Sequence, residues 1–68
     1  MEWKKGKVKF DDGSIYPAEL LISEDGQIWN SKVFKDRKVI EEIDADNFAL
    51  KLGKSVAEVY PYTCEIDD

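Results

Sequence analysis

The chain carries Asp-Gly twice, at Asp12-Gly13 and Asp25-Gly26, each time between stretches that alternate apolar and polar side chains. Asp-Gly tolerates the positive φ of a tight hairpin, so each pair predicts a chain reversal rather than a bend in a helix. Before the first turn, Trp3, Lys5, Lys7 and Lys9 share one face of a strand, and Gly6, Val8 and Phe10 share the other. After it, Tyr16, Ala18, Leu20 and Ile22 alternate against Ile15, Pro17, Glu19 and Leu21, and Pro17 restricts that strand to an edge or a bulge. With Asp25-Gly26 as a two-residue loop, Ile22 faces Trp29 and Leu20 faces Ser31. The third strand then runs from Ile28 to Phe34 with Trp29 and Val33 inward. The result is a three-stranded meander.

Lys35-Asp36-Arg37-Lys38 predicts a polar turn and Val39 to Ile43 a fourth strand. Beyond Asp44, Phe48, Leu50 and Leu52 alternate as an inward-facing strand. Gly53-Lys54 then offers a two-residue hairpin loop that returns the chain as Ser55 to Ile66. A rival reading makes 44–52 a short helix capped by Asp44 and stopped by Gly53, with Ser55 and Glu58 spaced as a capping box. Both readings lead to an all-β fold in one domain, residues 1–68: a small bent barrel of five to six antiparallel strands, with at most one short helix near 44–52. Leu20, Ile22, Trp29, Val33 and Phe48 form the expected core, and 65–68 a frayed acidic tail.

Sixty-eight residues with one cysteine and no histidine cannot form an internal disulfide or a zinc site of the usual Cys/His type. A reducing, intracellular setting follows, cytoplasmic or nuclear, and no apolar run approaches the roughly 18 residues of a membrane span. Net charge −5 favours basic partners over nucleic acid or an anionic membrane. The charge is unevenly spread: residues 1–9 and 32–38 are each +3, whereas 10–31 and 39–68 are −5 and −6. The lysine row Lys5, Lys7 and Lys9 suits a phosphate-binding stripe or, as the blander reading, an edge strand protected from pairing. Lys35, Arg37 and Lys38 would extend such a stripe.

No motif for catalysis is complete. Gly53-Lys54-Ser55 matches the end of a phosphate-binding loop, but Phe48 stands where that loop needs glycine. Asp44-Ala45-Asp46-Asn47 begins like a calcium loop, but Ala49 replaces its glycine and Ser55 its closing glutamate. Glu65 beside Cys64 raises the thiol pKa rather than activating it. The expectation is therefore a non-enzyme with no cofactor and no metal.

The pattern Gly6-x-Val8-x-Phe10-x-Asp12-Gly13-x-x-Tyr16-x-Ala18 resembles the first hairpin of Tudor domains, which are small Src-homology-3-like barrels. That resemblance implies a peptide-binding barrel whose fourth strand leads through a short turn to a fifth. It also implies an aromatic cage for a methylated lysine or arginine, placed by position on Tyr16 and Phe34, with Phe10 joining if the turn is short. The leading expectation is thus a protein-binding adaptor or inhibitor that recognises a basic, arginine- or lysine-containing segment. Two alternatives stand beside it. One is a nucleic-acid-binding barrel using Lys5, Lys7, Lys9 and the 32–38 cluster, and the other an acidic nucleic-acid mimic that inhibits a nucleic-acid enzyme.

Overall fold

Both Asp-Gly pairs reverse the chain, and they do so by one device. In the computed structural model, which describes residues 1–67, Gly13 and Gly26 take φ of 90° and 85°. The Phe10 N–H donates to Ser14 O across Asp11-Asp12-Gly13, and the Ser23 N–H to Gln27 O across Glu24-Asp25-Gly26, both at 2.9 Å. Asp12 Oδ1 accepts from the Ser14 N–H at 2.9 Å, and Asp25 Oδ1 accepts from the Ser23 hydroxyl. Each loop is therefore three residues long with a left-handed glycine last, one residue longer than the turn expected at Asp25-Gly26.

Strands β1 (Glu2–Lys9), β2 (Ile15–Ile22), β3 (Ile28–Lys35), β4 (Lys38–Glu41) and β5 (Thr63–Ile66) form one antiparallel sheet in the order β4-β3-β2-β1-β5. The chain is mainly β, as expected. The sheet is not closed, and its meander with β5 returned beside β1 is consistent with a small bent barrel. β3 and β4 are joined at Asp36 and Arg37, both left-handed, with φ of 52° and 64°. This is the polar turn expected there, made without glycine. Pro17 lies just beyond the β2–β3 ladder, which begins at Ala18↔Val33, so its missing N–H removes no bond to β3.

Three expectations change with this register. β1 is not an edge strand: β2 lies on one side and β5 on the other. Trp29 does not face Ile22. A bulge between Leu21 and Ile22 pairs Ile22 with Ile28 and leaves Trp29 as the extra residue, 62% exposed. The longer Glu24-Asp25-Gly26 loop sets that shift, whereas Leu20↔Ser31 pairs as expected. Glu65 and Ile66 complete β5 instead of fraying, and the Asp67 N–H reaches Lys5 O at 3.0 Å; Asp68, the last residue of the expected tail, lies outside the described residues.

The expected Gly53-Lys54 hairpin is replaced by two short helices, one more than expected. α1 (Ala45–Leu52) starts at Asp44, whose side chain accepts from the Asn47 N–H, and ends at Gly53 with φ of 73°. α2 (Val56–Val59) is a single turn held by the Ser55–Glu58 capping box, so Ser55 begins a helix and the last strand waits until Thr63. Phe48 and Leu52 point inward one helical turn apart, and Leu50 is exposed, which a strand with all three inward would not allow. The helices carry the chain from edge β4 to edge β5 across one face of the sheet. They cover Val8, Phe10, Ala18, Leu20, Val33 and Ile40 with Phe48, Ala49, Leu52 and Val59. No helix among the described residues is long and apolar enough to cross a membrane.

Candidate functional site

The three aromatics expected to form a cage are not brought together. Phe10 is 2% exposed and packs edge-on against Phe48 and Tyr62, with ring centroids 6.0 Å away in each case. Tyr16 lies half-buried beside it at 5.6 Å, with the Lys35 ammonium 5.8 Å from the Tyr16 ring. Phe34 follows the buried Val33 and so occupies the opposite face of the sheet, opposite Val39 on β4. Phe10 lies two residues beyond the buried Val8 and takes the same face into the core.

The lysine row lies on the sheet face that no helix covers. There the register builds an alternating ladder across four strands: Glu41 opposite Lys32, Lys32 opposite Glu19, Glu19 opposite Lys5. Cross-strand pairs of opposite charge each stabilise a sheet by about 0.2–1 kcal/mol. Lys7 stands opposite Glu65 and pairs with Asp67 at 3.9 Å, and Lys32 sits 4.1 Å from the Trp3 ring centre. Lys9 alone of the row has neutral cross-strand neighbours, Ile15 and Thr63. The 32–38 cluster is dispersed. Lys35 points to the helical side, where its ammonium donates to Leu52 O at 2.5 Å and satisfies the end of α1, while Arg37 and Lys38 remain at the β3–β4 turn.

A polar layer rims the helical side of the core. Tyr60 donates its hydroxyl to Glu42 Oε2 at 2.5 Å, and the Tyr62 hydroxyl meets the fully buried Ser31 hydroxyl at 3.1 Å. Burial, and then the neighbouring Glu42 carboxylate, push the Tyr60 phenol above its ordinary range; burial does the same to Tyr62. The Cys64 thiol is also raised, first by burial and then by Glu42 rather than by its neighbour Glu65. At the opposite end, Lys54 meets Asp12 Oδ2 at 2.5 Å, and Lys54 with Ser14 holds the Asp12 carboxyl well below the usual carboxylate range. These contacts tie α2 and its approach to the first hairpin, where the Asp12 N–H also donates to Glu58 O.

Among the exposed apolar side chains of the described residues, which also include Met1, Ile15, Val39, Ile43 and Leu50, an aromatic stands only at the bulge. Trp29 and Ile28, 62% and 42% exposed, leave the Glu24-Asp25-Gly26 turn, and Ile28 continues the row Glu2–Ile22–Ile28 across three strands. Glu2, Lys4 and Glu24 line a depression with Ile22 at this end of the sheet, and the Lys4 ammonium lies 3.8 Å from Glu2. Trp29, like Leu50, is a residue that alternation alone misassigned. The signal that could have placed it was loop length, because a three-residue Asp-Gly loop with a left-handed glycine shifts the following strand by one. No family model, curated protein or solved structure matches this chain.

Proposed function

We propose that this protein is a non-catalytic binding module that recognises a lysine- or arginine-bearing segment of a protein partner, with Trp29 as its principal contact. The observation that carries the reading is the display of Trp29 and Ile28 at the bulge, directly after the acidic Glu24-Asp25-Gly26 turn. Leaving an indole in water forgoes about 2–3 kcal/mol of burial. A large aromatic held at the surface by a bulge is the kind of side chain that dominates binding energy at protein interfaces. A cation over an indole face gains about 0.5–2 kcal/mol, and nearby carboxylates attract that cation without replacing it. Lys32 over Trp3 is an internal instance of the same contact. The Tudor resemblance over Asp12 to Ala18 supports the class of role, peptide recognition by a small β domain, with the contact moved from Tyr16, Phe34 and Phe10 to the bulge.

The test follows the Trp29 indole N–H signal by NMR while synthetic peptides rich in arginine and lysine, or in glutamate, are added. The basic peptides should shift that signal and the acidic ones should not, and added salt should weaken the effect. Trp29→Ala should lower affinity at least fivefold, or about 1 kcal/mol, with little change in melting temperature. A Trp29 signal that ignores the basic peptides, or a Trp29→Ala protein that binds them equally well, would remove the reading.

A further inference from the structure

Edge strand β4 presents a self-complementary surface, and we infer that two copies of this chain pair through it, antiparallel, about a two-fold axis at Ile40. The ladder to β3 uses alternate residues of β4. The Lys35↔Lys38 pair closes the two-residue turn, Ile40 pairs with Val33, and the Glu42 N–H donates to Ser31 O at 3.0 Å. Val39 and Glu41 therefore turn their backbone N–H and C=O groups outward, away from the sheet. A two-fold axis at Ile40 sets Val39 opposite Glu41 of the partner subunit, and Glu41 opposite the partner's Val39. The outward donors of each strand then meet the outward acceptors of the other, and the two sheets continue as one.

The same register matches faces and charges. In an antiparallel pair, directly opposed residues share a face, and Lys38, Ile40 and Glu42 all lie on the helical side of the sheet. Lys38 thus comes opposite Glu42 of the partner subunit, twice, and Ile40 meets the partner's Ile40. Beside the strand, Lys38, Val39, Ile40 and Lys51 line a depression between β4 and α1, so a second ammonium stands beside Lys38. Val39, 58% exposed in the single chain, is covered by the pairing. The other edge does not offer this. On β5, the Asp67 N–H bonds Lys5, so Cys64 and Ile66 turn outward, and the equivalent two-fold register, centred between them, sets Glu65 against Glu65 of the partner subunit. Like charges directly opposed destabilise a strand pair.

The pairing involves neither Trp29 nor Ile28, so it stands or falls separately from the proposed peptide contact. Sedimentation equilibrium of the full chain, up to about 1 mM at low salt, should show a monomer–dimer equilibrium. Val39→Pro removes an outward N–H and no bond to β3, and it should yield a monomer with unchanged far-ultraviolet circular dichroism. Lys38→Glu opposes two carboxylates across the axis and should weaken dimerisation at least about tenfold, less so in high salt. A wild-type chain that stays monomeric throughout, or a dimer that neither substitution weakens, overturns the inference. In the first case β4 is open to a different strand, and in the second the copies meet elsewhere. Should Val39→Pro fail to fold, Lys38→Glu alone decides.

Discussion

Gly6 is where β1 and β5 approach too closely for any side chain. A Cβ built there would lie 2.2 Å from Glu65 O and 3.1 Å from Leu20 Cδ1. Cβ atoms do not come within 3.0 Å of such neighbours, so Gly6→Ala requires β5 to retreat by at least about 0.8 Å, and the obstacle is backbone that cannot rotate away. Crowding of this kind destabilises by about 1–3 kcal/mol. Without the clash the sign would be opposite, because replacing glycine where the backbone suits alanine stabilises by about 0.4–1 kcal/mol through the unfolded chain. The measurement is thermal and urea unfolding of Gly6→Ala beside wild type, with hydrogen exchange read at β1 and β5. In a domain of this size each kcal/mol corresponds to about 4–8 °C in Tm, so the loss should be plain. Exchange should quicken first at the Asp67 amide, whose bond to Lys5 O depends on the same approach. A Gly6→Ala protein as stable as wild type or more so, with the Asp67 amide as protected as before, would refute the packing described for β5.

Replacing Asp36-Arg37 with Asn-Gly should stabilise the fold by about 1 kcal/mol in urea unfolding, because both positions hold left-handed backbone that asparagine and glycine adopt at less cost. The Asp12 carboxyl has a lowered pKa in the folded chain, so its contribution is whole above about pH 4 and is lost as pH falls through its depressed value. Asp12→Asn should therefore be less stable than wild type at pH 7, with the difference shrinking toward pH 2. The Tyr60 and Tyr62 phenols have raised pKa values, so the fold should weaken above about pH 10, and replacing both with phenylalanine should flatten that limb of the profile. Changing Lys5, Lys7 and Lys9 together to glutamine breaks the charge ladder and should lower stability modestly. Loss of binding to short RNA in a gel shift, with a flattened salt dependence, would instead make the row a phosphate contact.

The first three strands were legible because their signals are local. Asp-Gly reverses the chain within five residues, and alternation assigns faces that do not depend on what lies beyond the strand. Leu20, Ile22 and Val33 are inward on either account. The second half was ambiguous for an equally physical reason. Phe48 and Leu52 lie four apart, which serves one helical face, and with Leu50 they also alternate, which serves a strand. The caps at Asp44, Gly53 and Ser55 were readable, but they could not outweigh the hairpin until the destination of the chain was known.

Only the tertiary structure supplies that destination. β5 pairs with β1 at the edge opposite β4, and a chain leaving β4 must cross the sheet to reach it. Helices that bury Phe48 and Leu52 over the open core make that crossing, whereas a hairpin at Gly53 does not. The same long-range pairing makes β1 an interior strand and requires glycine at position 6. It also turns a row of lysines into the positive half of a charge ladder. Trp29 shows the limit from the other side: one extra loop residue, invisible to periodicity, moved the largest apolar side chain of the third strand from the expected core to the surface. Local chemistry determined that the chain turns and which residues alternate. Register and strand order, which are set by distant partners, decided what each face meets.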